Sequence, residues 1–162
     1  MATALVSGGK AVVGAPGDVH TSARNQVGLR AFGIDTTGNT AEYIYLGGCA
    51  STIVGSVVLY DEAGTTALIT AGPIGLVAVA TAITDAVTEF GWYGIAGTFL
   101  TDVVANCADN AALGRETTDG KVGDGFATGD MILGSVSRAA TTAAAVILCS
   151  FLYPAVNSQT GA

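Results

Sequence analysis

Short apolar runs separated by turn residues dominate the chain from residue 42 onward. Aromatic and β-branched residues fill the runs, and Gly, Pro, Asp or Asn stands between them, which is typical of β-strands joined by tight turns. In the first half of this region the pattern predicts strands within residues 43–46, 52–54, 56–60, 65–70 and 75–84. The run at 75–84 is apolar at successive positions and therefore indicates a strand that is buried on both faces.

The pattern continues in the second half of the region. Asp119-Gly120 is a strong hairpin signal, so we expect the segments on its two sides to pair with each other. The strands predicted here lie within residues 112–115, 121–122, 126–138 and 144–153. Pro154 is expected to end the last strand. Residues 103–112 form the one segment that could make a short helix, although Asn106, Asp109 and Asn110 argue equally for a loop.

Aromatic residues concentrate at a few positions of these strands. Residues 90–97 place them between glycines, and alternation puts Trp92 on one face and Tyr93 on the other. Large rings opposite glycines are common where strands bend sharply. The residues expected to pack in the core or in an oligomer interface are Tyr43, Tyr45, Trp92, Tyr93, Phe151 and Tyr153.

Residues 1–40 differ from the rest because they are rich in glycine and show little periodicity. We expect an extended N-terminal arm or irregular segment here, with one short strand near residues 10–13. Residues 41–157 should then form the β domain, and 158–162 a short polar tail. The fold class predicted is all-β, a compact antiparallel β-barrel or sandwich, and the absence of strand–helix alternation disfavours a parallel nucleotide-binding sheet.

Composition and charge narrow the classes of function. The formal net charge is −7, from six Lys and Arg against thirteen Asp and Glu, and no window gathers the basic residues that nucleic-acid binding uses. Two uncharged windows, 63–84 and 139–156, are too rich in Gly, Thr and Ala to predict membrane-spanning helices. We therefore expect neither a nucleic-acid partner nor a membrane.

Reactive residues are few. The odd number of cysteines, Cys49, Cys107 and Cys149, indicates core packing rather than a disulfide framework or a zinc site. His20 is the one histidine, and nothing near it in the sequence would orient it as a general base. The glycine-rich runs at 8–10 and 120–125 lack the spacing of phosphate-binding loops.

Two further motifs have a functional and a structural interpretation. Asp119, Asp124 and Asp130 stand among glycines but depart from the EF-hand calcium pattern, so solvated turns are the expectation. The aromatic residues around Trp92 could stack on a sugar, although a packing cluster is favoured. The sequence thus predicts no enzyme, no cofactor and no metal.

The order of several runs resembles that of small structural proteins encoded beside the major capsid protein of tailed phages. The runs are Glu42-Tyr43-Ile44-Tyr45-Leu46, Ala50 to Ser56, Tyr60 to Gly64, Gly91-Trp92-Tyr93, Cys107 to Leu113 and Phe151 to Pro154. The resemblance covers roughly residues 27–157, and the N-terminal segment has no counterpart in it. It implies a capsid decoration, or cement, protein that binds the outer capsid surface and bridges capsomers.

The resemblance also implies partners and a location. The partners would be the major capsid protein and further copies of the chain, with a trimer favoured, and the protein would be made in the host cytoplasm and reside in the virion. The arm is expected to lie over neighbouring capsid subunits. The residues expected to contact the capsid are Lys10, Val12, Val13, His20, Arg24 and Arg30.

Three alternatives stay open at this point. A tail-tube or head–tail connector subunit would also be a small β-rich virion protein. A carbohydrate-binding surface module would use the rings of Trp92, Tyr93, Tyr43 and Tyr45. A hydrolase is the weakest alternative because the chain has a single histidine.

Overall fold

The computed structural model describes residues 4–157, and these residues form thirteen β-strands and no helix. The all-β prediction is confirmed. The strands are β1 (Val6–Ser7), β2 (Lys10–Ala11), β3 (Val19–His20), β4 (Arg30–Ile34), β5 (Thr40–Gly47), β6 (Val57–Tyr60), β7 (Thr66–Leu68), β8 (Gly75–Ala80), β9 (Phe90–Val103), β10 (Ala112–Arg115), β11 (Val122–Gly123), β12 (Met131–Ser137) and β13 (Ala145–Val156).

Hydrogen bonding joins the thirteen strands into one sheet. Twelve follow the order β2-β1-β4-β5-β9-β11-β10-β12-β13-β8-β6-β7, and β3 pairs separately with β9. β13 also pairs with β9, from Ala145↔Val103 to Leu152↔Ala96, and this pairing closes a ring of β9, β11, β10, β12 and β13. Among the described strand pairs only β9–β11 is parallel, so the sheet is mixed rather than purely antiparallel as predicted.

Two backbone bends allow β8 to pair with both β9 and β13. Since β8 runs antiparallel to each, and β9 and β13 are antiparallel to one another, these strands must change direction. The bend in β9 falls at Gly97, whose φ of 135° favours glycine and where a Cβ would lie 2.8 Å from the Cβ of Ala41. The bend in β13 falls at Tyr153, with a φ of 48°.

Alternating side chains of the central strands form two cores on opposite faces of the sheet. Tyr43, Tyr45 and Trp92 belong to the larger core, whereas Ile44, Leu46 and Tyr93 belong to the smaller one. β8 divides in the same way, with Val77 and Val79 on one side and Ala78 and Ala80 on the other. This two-sided burial is the reason why the sequence of β8 is apolar at successive positions.

The first forty residues contact the rest of the chain at several of their described positions. β4 pairs with β5 along its whole length, so this hairpin crosses the boundary expected between arm and domain. Leu5 and Ala31 are buried in the larger core. The segment is irregular, with three strands of two residues each, but it contributes to the core of its own subunit.

Other predictions have mixed outcomes at the level of single strands. The hairpin across Asp119-Gly120 is confirmed as β10–β11, and strands occur in the runs at 43–46, 56–60, 65–70 and 75–84. Residues 52–54 are not a strand, because the Thr52 hydroxyl donates to the Cys49 carbonyl and the chain turns there. The expected tail at 158–162 lies outside the described residues.

Of the two alternatives for residues 103–112, the structure has the loop, and one expectation for β13 is wrong. Residues 103–112 contain no helix, because Asn106 and Asn110 adopt left-handed backbone conformations, with φ of 64° and 57°, that belong to turns. Pro154 does not end β13, because the bend at Tyr153 turns the chain into its pairing with β8, which continues to Val156. Across residues 4–157 no helix is long and apolar enough to cross a membrane.

Candidate docking surface

The side of the sheet that carries the smaller core is open beyond that core and crosses several strands. Residues in direct register share a face, and the pairs Leu152↔Ala96, Ala96↔Glu42, Glu42↔Phe32 and Phe32↔Val6 form one row across β13, β9, β5, β4 and β1. On β12, beside β13, Leu133 lines a shallow groove together with Leu152. We call this side of the sheet, from β1 to β12, the outer face.

The outer face is rich in exposed apolar side chains. Phe32 is 52% exposed and Leu152 is 66% exposed, although both belong to strands. Other exposed apolar or aromatic residues of this face include Val6, Ile34, Met131, Leu133 and Tyr153. Six strands at a spacing of about 4.8 Å make the face roughly 24 Å wide. Exposed apolar patches of this size are often functional and can mark protein interaction sites.

A buried carboxylate lies at the centre of the outer face. Glu42 is only 6% exposed, because Arg30 and Tyr153 cover it. The Tyr153 hydroxyl donates to Glu42 Oε2 at 2.6 Å, and Arg30 Nη1 lies 3.5 Å from Glu42 Oε1. The hydrogen bond to Glu42 raises the pKa of Tyr153 above its usual value. The negative charge of Glu42 is therefore balanced by Arg30, and the centre of the face carries no unpaired carboxylate.

Tyr153 adopts a strained backbone conformation in this cluster. A φ of 48° is unusual for a residue with a large side chain, and the following residue is Pro154, which restricts it further. The bond to Glu42 and the Arg30 guanidinium, 5.9 Å from the ring centre, hold the side chain on the outer face. Strain of this kind is concentrated at functional positions in proteins.

The charges of the outer face differ from those of the molecule. Its strands β1, β4, β5, β9, β12 and β13 contain only two carboxylates, Glu42 and Asp102, and both are buried. Asp102 accepts from the Lys121 ammonium at 2.6 Å. Two arginines, Arg30 and Arg138, are exposed at the two ends of the face. Protein interfaces share this composition, with aromatic, Met and Arg residues enriched and Asp, Glu and Lys depleted.

Most of the predicted aromatic cluster lies inside the protein. Tyr43, Tyr45, Trp92, Tyr93 and Phe151 are at most 3% exposed and pack within the two cores. Burial raises the pKa of Tyr43 and of Tyr93 to about 12. These rings are not on the surface, where a sugar or another subunit could contact them. Only Tyr153 of the predicted set is exposed.

The residues predicted to contact a capsid are distributed over two places. Arg30 lies on the outer face, whereas Val12, Val13, His20 and Arg24 belong to the segment that packs beside the aromatic core. Lys10 is in β2, and its side chain lies outside the described part of the structure.

Hydrogen bonds fasten this N-terminal segment to its own domain. His20 Nδ1 lies 2.8 Å from the Tyr45 hydroxyl, which also accepts from the backbone N–H of Arg24 at 3.2 Å. The Trp92 indole donates to the Val13 carbonyl at 3.2 Å. The residues expected to reach another protein therefore stabilise the fold of their own chain.

The carboxylates considered for calcium do not form a cation site. Asp119 is exposed, Asp124 accepts from the backbone N–H of Ala108 at 2.8 Å, and Asp130 pairs with Arg115. Within residues 4–157 no group of three or more His, Cys, Asp or Glu side chains could hold a metal ion. All three cysteines are buried and unbonded to one another.

In β4 the large apolar residues are exposed and the small one is buried, which the hydrophobic pattern of the sequence does not predict. In β4 the small Ala31 points into the core, while the larger Phe32 and Ile34 are half exposed. β13 does not share this inversion, because its large Phe151 is buried, although Leu152 beside it is exposed. No protein-family model matches the chain, and no significant match was found among curated proteins or solved structures.

Proposed function

We propose that this protein is a structural virion component that binds the outer surface of a phage capsid and stabilises the shell by bridging capsomers. The observation that carries the proposal is the outer face, a surface about six strands wide whose exposed residues have the composition of a protein interface. The resemblance of residues 27–157 to decoration proteins supplies the identity of the shell. The role is structural rather than catalytic.

The size of the outer face suits a protein that binds a repetitive lattice. At roughly 24 Å by 20 Å it offers on the order of 500 Å², below the 800 Å² or so that each partner contributes to a standard interface. A single contact of this size is weak. A shell presents many equivalent sites, so an oligomer that makes several contacts at once binds much more tightly than one copy.

Binding of this kind stabilises the shell by mass action. A protein with affinity for the assembled lattice, and none for free subunits, shifts the assembly equilibrium toward the lattice. The partners in this proposal are the major capsid protein and other copies of the chain, as a trimer. Nucleic acid and membrane are not partners. Because the outer face is the surface proposed to contact the shell, binding does not require the N-terminal segment to detach from its own domain.

Co-sedimentation with shells assembled from the major capsid protein of the same genome tests the proposal. Phe32→Glu places a charge in the middle of the outer face and should reduce binding at least tenfold. Val87→Glu is the matched control, because Val87 is 76% exposed but lies in the turn before β9, away from the outer face. Thermal unfolding of both variants checks that each is folded.

The outcomes separate the candidate functions. Loss of binding in Phe32→Glu alone supports docking through the outer face. Wild-type protein that does not sediment with shells refutes the decoration proposal, and binding to isolated tails instead would favour a tail-tube or connector subunit. Equal binding by wild type and Phe32→Glu would show that another surface contacts the shell.

A further inference from the structure

We infer that Arg30 and Arg138 determine which protein surface the outer face binds, and that this surface carries carboxylates opposite both arginines. The inference rests on the proposed function and names the chemistry of the partner. It follows from the placement of the two guanidinium groups at the ends of an apolar surface that has no exposed carboxylate of its own.

Arg30 stands at the β4 end of the outer face. Its side chain is 51% exposed, and its register partner is Ile44 on β5. Glu42 pairs with one edge of the Arg30 guanidinium. A guanidinium has five N–H donors, which is more hydrogen bonds than one carboxylate can accept. The guanidinium is therefore held in place with donors still directed to solvent.

Arg138 stands at the other end, directly after β12. Its Nε donates to the Ser150 hydroxyl at 2.9 Å, and its Nη1 donates to the Asn110 side-chain oxygen at 3.2 Å. Ser150 in turn bonds to Thr98 on β9, so the guanidinium is anchored over the sheet. Neither anchor is charged, which leaves the full positive charge and three N–H donors for a partner.

The two guanidinium groups are fixed relative to each other by the sheet. Four strand spacings separate β12 from β4, so the two arginines lie on opposite sides of the apolar centre of the face. Planar guanidinium groups suit bidentate pairing with carboxylates. A partner with carboxylates at a similar separation and an apolar centre would match the outer face in both respects.

The charge of the whole molecule makes this local arrangement selective. With a net charge of −7 the protein is repelled by acidic surfaces in most orientations. The outer face is the orientation in which an acidic apolar surface meets two exposed guanidinium groups, of which Arg30 is paired with Glu42 and Arg138 has only uncharged partners. Asp61 and Glu62 line the cleft beside Arg30, and the exposed Asp109 is the chain neighbour of Asn110, which bonds to Arg138. These carboxylates oppose the attraction at both ends of the face.

Neutral substitutions of single arginines provide the test. Arg30→Gln, Arg138→Gln and the control Arg24→Gln each remove one positive charge, and Arg24 is exposed on the N-terminal segment, away from the outer face. Binding to shells of the same genome's major capsid protein is measured by co-sedimentation at about 50 mM and 500 mM NaCl. We expect five- to tenfold weaker binding for each outer-face variant at low salt and less than a twofold change for Arg24→Gln.

High salt should remove most of the difference between wild type and the two outer-face variants, because exposed charge pairs are screened. Glu62→Gln should strengthen binding about threefold by removing one competing carboxylate. The inference is wrong if wild type binds but both outer-face variants bind equally well, or if Arg24→Gln weakens binding as much as they do. A wild-type protein that fails to bind at all refutes the proposed function instead.

Discussion

Asp35 connects the β4–β5 turn to the bend in β9, and its replacement by Asn should destabilise the protein in a pH-dependent way. The side chain is 8% exposed. Its Oδ1 accepts from the Thr37 backbone at 2.8 Å, the Thr37 hydroxyl at 2.7 Å and the Asn39 backbone at 3.0 Å. Its Oδ2 accepts from the backbone N–H of Thr98 at 2.9 Å. One carboxylate thus satisfies four donors from two parts of the chain.

The magnitude follows from these hydrogen bonds. An Asn at this position can keep its carbonyl oxygen toward Thr37 and Asn39, but its amide group would then face the N–H of Thr98, donor against donor. Leaving that buried N–H unsatisfied costs about 1–3 kcal/mol. The other three bonds lose their charge, and charge-assisted bonds are roughly twice as strong as neutral ones. Allowing for relaxation, we expect Asp35→Asn to lower the free energy of unfolding by about 3 kcal/mol at pH 7.

The pH dependence has a definite sign. Burial acts to raise the pKa of Asp35, but hydrogen bonds from Thr37, Thr98 and Asn39 outweigh it, so the pKa in the folded state lies below its usual value. A depressed pKa stabilises the protein above the pKa of the unfolded chain, near 3.9, and this stabilisation disappears as the pH falls through the folded-state pKa. The difference between wild type and Asp35→Asn should therefore shrink below about pH 4.

Urea unfolding of both proteins between about pH 2.5 and 7 measures this difference in the free energy of unfolding. In thermal unfolding at pH 7, the melting temperature of Asp35→Asn should be lower by about 6–12 °C. Asp109→Asn is the matched control, because Asp109 is exposed and makes no hydrogen bond among the described residues. It should change the free energy of unfolding by less than about 0.5 kcal/mol. A stability difference for Asp35→Asn that is the same at pH 2.5 and pH 7 would refute the reasoning.

Two further substitutions test the packing of the core and the ion pair between Arg115 and Asp130. Gly94→Ala should lower the free energy of unfolding by about 3 kcal/mol, because a Cβ there would lie 2.5 Å from the ring of Phe99. Gly125→Ala is the control, because the nearest atom to its Cβ would be 3.9 Å away. In the same urea assay it should change the free energy of unfolding by less than about 0.5 kcal/mol. Asp130→Asn should cost about 3 kcal/mol, because Arg115, whose side chain is 3% exposed, would lose its charged partner. A melting temperature for Asp130→Asn within 2 °C of the exposed control would contradict this estimate.

The local strand pattern could be predicted from sequence because it depends on neighbouring residues. The hairpin around Gly120 and the stop after β5 follow from turn chemistry, and the two-sided burial of β8 follows from its unbroken apolar run. The bend at Tyr153 could not be predicted in this way. Its left-handed conformation depends on the distant Glu42, with which it shares a hydrogen bond.

The outer face was beyond prediction for a related reason. Val6 and Leu152 lie in one row only because β1, β4, β5, β9 and β13 pair in a particular register. Moreover, a periodicity argument assigns the larger residues of a strand to the core, and in β4 this would bury Phe32 and Ile34 and expose Ala31. The structure has the opposite arrangement, because the core beneath β4 is already filled by the rings of Tyr43, Tyr45 and Trp92.

Because burial in β4 is reversed, the residues that stabilise the monomer differ from the residues that are available to bind a partner. Exposed Phe32 and Leu152 contribute little to the stability of a single chain, since hydrophobic stabilisation scales with the apolar area removed from water. The strained backbone of Tyr153 opposes folding rather than favouring it. Phe32, Leu152 and Tyr153 all lie on the outer face. They would contribute to stability if a second protein surface covered them. Substitutions of Phe32 and Leu152 therefore test docking without disturbing the core.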